Sequence, residues 1–211
     1  MMGDTLTMKI KKIIFATGNE GKMNEIKEIM KDFTEKNEII LMSLKEAGVD
    51  AAIIEDGNTF EENALIKARA IAGLTDAVVM ADDSGLDVVY LDMAPGIYSA
   101  RFLGEDTSYD VKNAYILEKL EGVEDEKRSA RFVCAIACVF PDGRELCVKG
   151  TIEGRIDYEI KGCNGFGYDP IFYVPEYGCT TAQMPEEKKN EVSHRGRALA
   201  AMMDELEKYN R

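Results

Sequence analysis

Five short stretches of this chain hold residue types whose spacing could do chemistry. The first is Thr17-Gly18-Asn19-Glu20-Gly21-Lys22, lying between an apolar run and a stretch of helical periodicity. Backbone amides in a strand-to-helix loop, together with a helix N-terminus, favour phosphate oxygens. Thr17 and Asn19 can donate from their side chains, and Lys22 can neutralise charge. The loop is not a P-loop, because only Asn19 and Glu20 separate Gly18 from Gly21 and Met23 follows Lys22. Taken alone, such a loop is more often plain turn chemistry.

The second stretch, Asp82-Asp83-Ser84-Gly85, follows the apolar run Val78–Ala81. Adjacent carboxylates repel and need a cation, a basic neighbour or water to stay ionised together. If both face a pocket, one can bind magnesium while the other orients or deprotonates a water. A turn cap beside a solvated aspartate is the alternative. Glu55, in Ile54-Glu55-Asp56-Gly57-Asn58, could bring a metal ligand to Asp83 from a second element, or simply belong to an acidic turn. In Gly165-Phe166-Gly167-Tyr168-Asp169 an aromatic held between glycines can offer its face to a base, and Asp169 can accept from ring N–H groups. The same pattern also serves as a structural turn with a packed Phe. Lys189 with Ser193-His194-Arg195 forms a local basic cluster in an acidic protein. Arginine, lysine and protonated histidine all donate, so the cluster would prefer an oxo group at C6 of a purine to the amino group of adenine.

Several chemistries are absent. No Ser/His/Asp pattern surrounds the single histidine, and no cysteine stands in a nucleophile motif. Asp82-Asp83-Ser84-Gly85 is not the Asp-x-Asp-x-Thr/Val run of an aspartyl-phosphate phosphatase.

The elements that must position these residues alternate. Lys9–Ala16 reads as a strand, followed by a helix carrying Met23, Ile26, Met30 and Phe33; Glu38–Met42 reads as a second strand. Thr59-Phe60-Glu61-Glu62 has the pattern of a capping box, opening a helix with Ala64, Ala68 and Ile71 on one face and an end near Gly73. Val78–Ala81 reads as a short buried strand stopped by the aspartates, with another strand over Leu86–Leu91. Thr107-Ser108-Tyr109-Asp110 caps a helix bearing Leu117 and Leu120. Ala130–Phe140, apolar at consecutive positions, reads as a central strand that Pro141-Asp142-Gly143 turns into Glu145–Ile152. A last helix begins near Ser193 and carries Leu199, Met202, Leu206 and Tyr209. The expected class is α/β with a mixed sheet.

The 211 residues suit a single domain, 9–211, behind a loose N-terminal extension, 1–8. A net charge of −13 disfavours a broad grip on nucleic-acid polymers. Neither a signal peptide nor an apolar stretch long enough for a bilayer is present, which points to a cytoplasmic protein with no membrane partner. The five cysteines form no CxxC pair and read as reduced core residues.

In order along the chain, FATGNEGKMNEI, EDGNTFEENALIKARA, ADDSGL, APGIYSARF, GFGYDPIF and EKKNEVSHRGRAL resemble the Ham1/RdgB family of inosine/xanthosine triphosphate pyrophosphatases. The resemblance covers Lys12 to about Leu206. It implies two α/β lobes around a long mixed β-sheet with flanking helices and a central cleft, and a homodimer. It implies hydrolysis of ITP, dITP and XTP between the α and β phosphates, giving the monophosphate and pyrophosphate, with Mg²⁺ as cofactor and Mn²⁺ as its alternative. By resemblance, Thr17, Gly18, Asn19, Glu20, Gly21 and Lys22 hold the triphosphate. Glu55 and Asp83 bind the metal, Asp83 also accepts the proton, and Ser84 contacts substrate. Phe166, Gly167, Tyr168, Asp169, Lys189, His194 and Arg195 recognise the base. Tyr90-Leu91-Asp92-Met93 departs from the small glycine-rich step expected before APG, and Gln183 from an expected Glu. A non-catalytic purine nucleotide-binding module is the alternative; it would have no use for Glu55 and Asp83.

Overall fold

The apolar run before Ala16 forms β1 (Lys12–Phe15), shorter than expected because its parallel partners β2 (Ile40–Ser43) and β3 (Val78–Val88) begin pairing only at Lys12 and Ile13. This is a computed structural model and describes residues 9–209, so the expected extension 1–8 lies outside it. Asn19 caps α1 (Glu20–Ile29), its Oδ1 accepting from the Lys22 amide at 2.9 Å. The helix expected to run on to Phe33 breaks at Met30 and resumes as α2 (Lys31–Asn37). Glu38 then takes a left-handed φ of 55°, which delays the start of β2 beyond the expected Glu38. After the short α3 (Leu44–Ala47) comes α4 (Phe60–Ala72). Thr59 caps α4 as expected, accepting from the Glu62 amide at 3.1 Å. The Glu62 carboxylate turns to the Asn58 amide at 2.6 Å, so the reciprocal bond of the box falls one residue early.

The largest correction concerns the aspartates. They do not stop a strand: β3 runs unbroken through them, with Asp82 paired to Ile136 and Asp83 to Ala135 of β4 (Ser129–Val139). Carboxylates inside a strand are tolerable here because each finds cations, as described below. The separate strand expected over Leu86–Leu91 is the end of β3 followed by a 3₁₀ turn at Val89–Leu91. Asp92 and Met93, in the segment that departs from the family pattern, take left-handed φ of 51° and 67°. Gly85 is held to glycine, since a Cβ there would strike the Gly96 carbonyl oxygen, the Ser99 hydroxyl and the Phe60 ring.

Ser108 caps α5 (Tyr109–Lys119), β4 turns into β5 (Glu145–Ile156), and β6 (Phe172–Val174) and β7 (Cys179–Thr180) close the sheet. The order is β2-β1-β3-β4-β5-β6-β7, parallel over the first three strands and antiparallel beyond, which is the mixed sheet expected. Gln183, the other departure, accepts from the Thr180 amide and hydroxyl at 3.0 and 3.2 Å. Two final helices follow, α6 (Glu186–Val192) and α7 (His194–Tyr209).

Leu199, Met202 and Leu206 of α7 pack with Met23, Ile26 and Met30 on one face of the sheet. Ala64, Ala68 and Ile71 of α4 pack on the other. A further cluster around Leu86, Phe132, Ile152 and Phe172 fills the far ends of the long strands. Cys134 and Cys138 are buried and their thiols are pushed by burial up to about 12. Cys147 and Cys163 are exposed, so the expectation of core cysteines does not extend to them.

Candidate active site

Successive residues of a strand point to opposite faces, and this decides what each aspartate can do. Asp82 faces α1 and α7. Its Oδ2 lies 2.9 Å from Lys22 Nζ, 3.4 Å from Arg195 Nη2 and 3.1 Å from the Ser84 hydroxyl, which donates to it. Burial raises the pKa of Asp82, but Lys22, Arg195 and Lys67 outweigh it and hold the carboxyl well below the usual range. Asp83 faces α4. Asn63 Nδ2 donates to its Oδ2 at 3.2 Å and Lys67 Nζ to its Oδ1 at 3.2 Å. Burial raises the pKa of Asp83; Lys67 and Lys22 lower it, Glu55 adds to the rise, and the net shift is upward. The two carboxylates are therefore not a pair sharing one pocket, as adjacency in sequence implied. Asp82 belongs to an ion cluster, and Asp83 is the one with a raised pKa.

Glu55 reaches the same place from the loop before α4: Lys67 Nζ sits 2.6 Å from Glu55 Oε2 as well as 3.2 Å from Asp83. Two hard oxygen donors thus already converge on one cation. Among the described residues no group of three or more His, Cys, Asp and Glu gathers for a metal. That donor set suits Mg²⁺, which commonly takes one or two carboxylates and fills its remaining positions with water and substrate phosphates.

A cavity of about 1210 Å³ joins these features to the loops. Every residue expected to meet substrate or metal lines it except Gly21 and Asp83. At the loop Thr17–Lys22, the hydroxyl oxygen of Thr17 accepts from the Asn19 amide at 3.2 Å, and Asn19 accepts from Lys22. These side chains therefore shape the loop as acceptors, while the Asn19 amide group and the Thr17 O–H remain available as donors.

At the other end, an alternating chain of buried charges runs Lys22–Asp82–Arg195–Glu25–Lys189–Asp169. Arg195 pairs closely with Glu25, and Lys189 lies 3.3 Å from Glu25 and 2.9 Å from Asp169. Asp169 in turn accepts from the Phe166 amide at 2.9 Å and the Thr181 hydroxyl at 2.8 Å. Both of its oxygens are engaged, so Asp169 shapes the aromatic loop as well as lining the cavity. Tyr168 is likewise buried, its hydroxyl donating to the Ser99 carbonyl at 2.8 Å. Lys189 Nζ and Arg195 Cζ lie over the Phe166 ring, 4.9 and 5.4 Å from its centroid.

His194 is buried and stacks on Phe132 with centroids 4.7 Å apart. Burial first, then Arg195 and Lys189, depress its pKa well below the ordinary value, so the imidazole is neutral and not the protonated donor anticipated. Its Nδ1 and the Nε of Arg195 are buried without hydrogen-bond partners. Gly150 of β5 lets α7 close this tightly on the sheet, since a Cβ there would collide with the His194 carbonyl and Ala198.

Sequence reasoning passed over Glu25, Asn63 and Lys67. A signal existed for the last two: Asn63 and Lys67 stand four residues apart beside the apolar stripe of α4, where polar residues need buried partners. Glu25 had none, since its partners lie far along the chain.

The Ham1 family pattern matches residues 13–205. A dITP/XTP pyrophosphatase of Clostridium perfringens is 47% identical over 203 residues, covering 93% of this chain and 98% of the relative. The Ham1 protein of Staphylococcus aureus is 41% identical with a TM-score of 0.82, covering 94% of this chain and 99% of its own. A HAM1 protein of Coxiella burnetii is 40% identical with a TM-score of 0.84, over 94% and 100%. With nearly its whole described length matched in sequence and in fold, this chain belongs to the Ham1 family.

Proposed function

We propose that the protein hydrolyses 6-oxopurine nucleoside triphosphates of the ITP, dITP and XTP type to the monophosphate and pyrophosphate. The observation that carries this reading is the buried charge chain. It ties the phosphate-shaped loop at Lys22 to the aromatic and cationic end at Phe166, Lys189 and Arg195 across one cleft, with Glu55 in its wall and Asp83 joined to Glu55 through Lys67. The relatives' names, dITP/XTP pyrophosphatase, fit it.

In this reading the amides of Gly18, Glu20 and Gly21, at the loop and the start of α1, bind phosphate oxygens, supported by the helix dipole. Phe166, which lines the cavity, offers its ring to the base. Lys189 and Arg195, fixed by Glu25 and Asp169, keep spare N–H donors for an oxo group at C6 and have nothing to offer an amino group. Glu55 and Asp83 would hold Mg²⁺ or Mn²⁺. When bound, the metal supplies charge neutralisation on the phosphates and the leaving pyrophosphate. Asp83 would accept the proton of the attacking water. A purely binding module would gain nothing from holding two carboxylates against one lysine, and relatives of this chain carry enzyme names.

Incubation with Mg²⁺ and a nucleotide panel tests this. ITP, dITP and XTP should release pyrophosphate, with kcat/KM for ATP lower by about 100-fold or more. Orthophosphate as first product, or equal use of ATP, would overturn it.

A homodimer belongs to the same proposal. Val89, Tyr90, Met93, Tyr98 and Leu103 are large apolar residues exposed along one stretch of chain, a feature of association surfaces. Light scattering should give twice the chain mass; a monomer at micromolar concentration would count against it. The five unpaired cysteines suit a reducing cytoplasm.

A further inference from the structure

The Lys67 side chain is 12% exposed and that of Asp83 is 11% exposed, and the Lys67 ammonium lies 3.2 Å from the Asp83 carboxylate. Glu55 and Lys67 line the cavity, whereas Asp83 does not. The same ammonium touches both carboxylates, 2.6 Å from Glu55 and 3.2 Å from Asp83. A divalent cation held by these two oxygens and the ammonium would claim the same space, so both cannot remain. We propose that Lys67 is an exchangeable counter-ion for the Glu55–Asp83 pair, displaced by the divalent metal and passed to the phosphate chain of the incoming nucleotide. This rests on the metal-dependent reading given above.

The surroundings suit an exchange. Asp83 does not depend on Lys67 alone for its position: Asn63 holds its other oxygen at 3.2 Å, and Asn63 is itself fixed by the Gly57 amide at 2.9 Å. The carboxylate can therefore stay in place when the lysine leaves. A lysine is a compact charge on a flexible stem with three rotatable donors, able to move from carboxylate to phosphate. Two carboxylates and one ammonium leave a net negative charge, which attracts a divalent ion, while a triphosphate carries enough charge to draw the ammonium across. Metal and nucleotide then favour one another's binding, and linkage makes that coupling reciprocal.

Mn²⁺ binding by the full chain, read by electron paramagnetic resonance of the free ion, tests the exchange without turnover. With no nucleotide present, Lys67→Met should bind Mn²⁺ about tenfold more tightly than wild type, because nothing competes for the carboxylates. Lys67→Arg, whose planar fork grips carboxylates in two places, should bind it more weakly. A non-hydrolysable imido analogue of ITP should tighten Mn²⁺ binding in wild type, and by much less in Lys67→Met. Unchanged or weaker Mn²⁺ binding by folded Lys67→Met overturns the exchange. Should that variant not fold, unchanged or tighter binding by Lys67→Arg does the same. If wild type binds no Mn²⁺ even with the analogue, the metal-dependent reading falls and the exchange falls with it. Mn²⁺ binding that responds to the analogue but not to either Lys67 substitution removes the exchange alone.

Discussion

Asp83→Asn should lower kcat on ITP by three or more orders of magnitude while leaving nucleotide affinity measured without metal within a few fold. The substitution is isosteric, but it removes a metal ligand and a proton acceptor together. A positioned general base alone contributes about 10²- to 10⁴-fold, and the loss of a charged metal ligand adds to it. The fold should tolerate the change, because the side chain keeps an oxygen for either Asn63 or Lys67, its two partners at 3.2 Å. Affinity should survive because the phosphate loop and the aromatic end lie on other elements. Asp82→Asn is the informative control. Asp82 is bound to Lys22 and Arg195, so its loss should weaken binding and stability more than turnover. Steady-state kinetics with separate titration of an ITP analogue reads both. Undiminished turnover in Asp83→Asn would remove Asp83 from the mechanism.

Arg195→Ala should be the most damaging change to the stability of the site. The guanidinium is buried against Glu25 and Asp82, and without it each of these buried carboxylates loses one of its two cations. Breaking a buried ion pair from one side costs about 3–5 kcal/mol, or about 10 °C in melting temperature for a chain of this size. The preference for ITP over ATP should collapse as well, since Phe166 loses one of its cations and Glu25 is left holding Lys189 alone. Arg195→Lys should restore little, because a single ammonium cannot reach Glu25, Asp82 and Ser84 together.

The pH dependence of this variant has a defined sign. In wild type, Lys22, Arg195 and Lys67 overcome the upward push of burial, so the folded Asp82 pKa lies below the unfolded one. Its stabilising contribution is complete above about pH 4, the unfolded value, and is lost as pH falls through the folded value. In Arg195→Ala the folded value moves up toward the unfolded one, so the loss should be smaller and should be complete at higher pH. Urea midpoints between pH 3 and 7 measure it, and parallel curves for the two proteins would contradict the assigned pairing.

How far the chain could be read without its fold depends on how local each cause is. Thr59 and Ser108 cap their helices as their residue types require, since a cap involves only the next few residues. Leu199, Met202 and Leu206 follow helical periodicity into the core for the same reason. The ends of β1 and β2 were misplaced because a strand is bounded by its partner, and the partner is distant in sequence. The aspartates were misread as a strand end because charge inside a sheet is costly unless cations arrive from elsewhere. Here they come from α1, α4 and α7.

By itself the sequence determined the alternating elements, the loop at Thr17–Lys22, the clustering of acidic, aromatic and basic motifs, and the family to which their order belongs. Only the tertiary structure decided that Asp82 and Asp83 face opposite sides of β3. It alone placed Lys67 between Asp83 and Glu55, committed Asp169 to its own loop, and kept His194 neutral. The division is physical. Periodicity, capping and turn chemistry act over a few residues, whereas burial and Coulomb interactions depend on distance through space, which chain order does not specify.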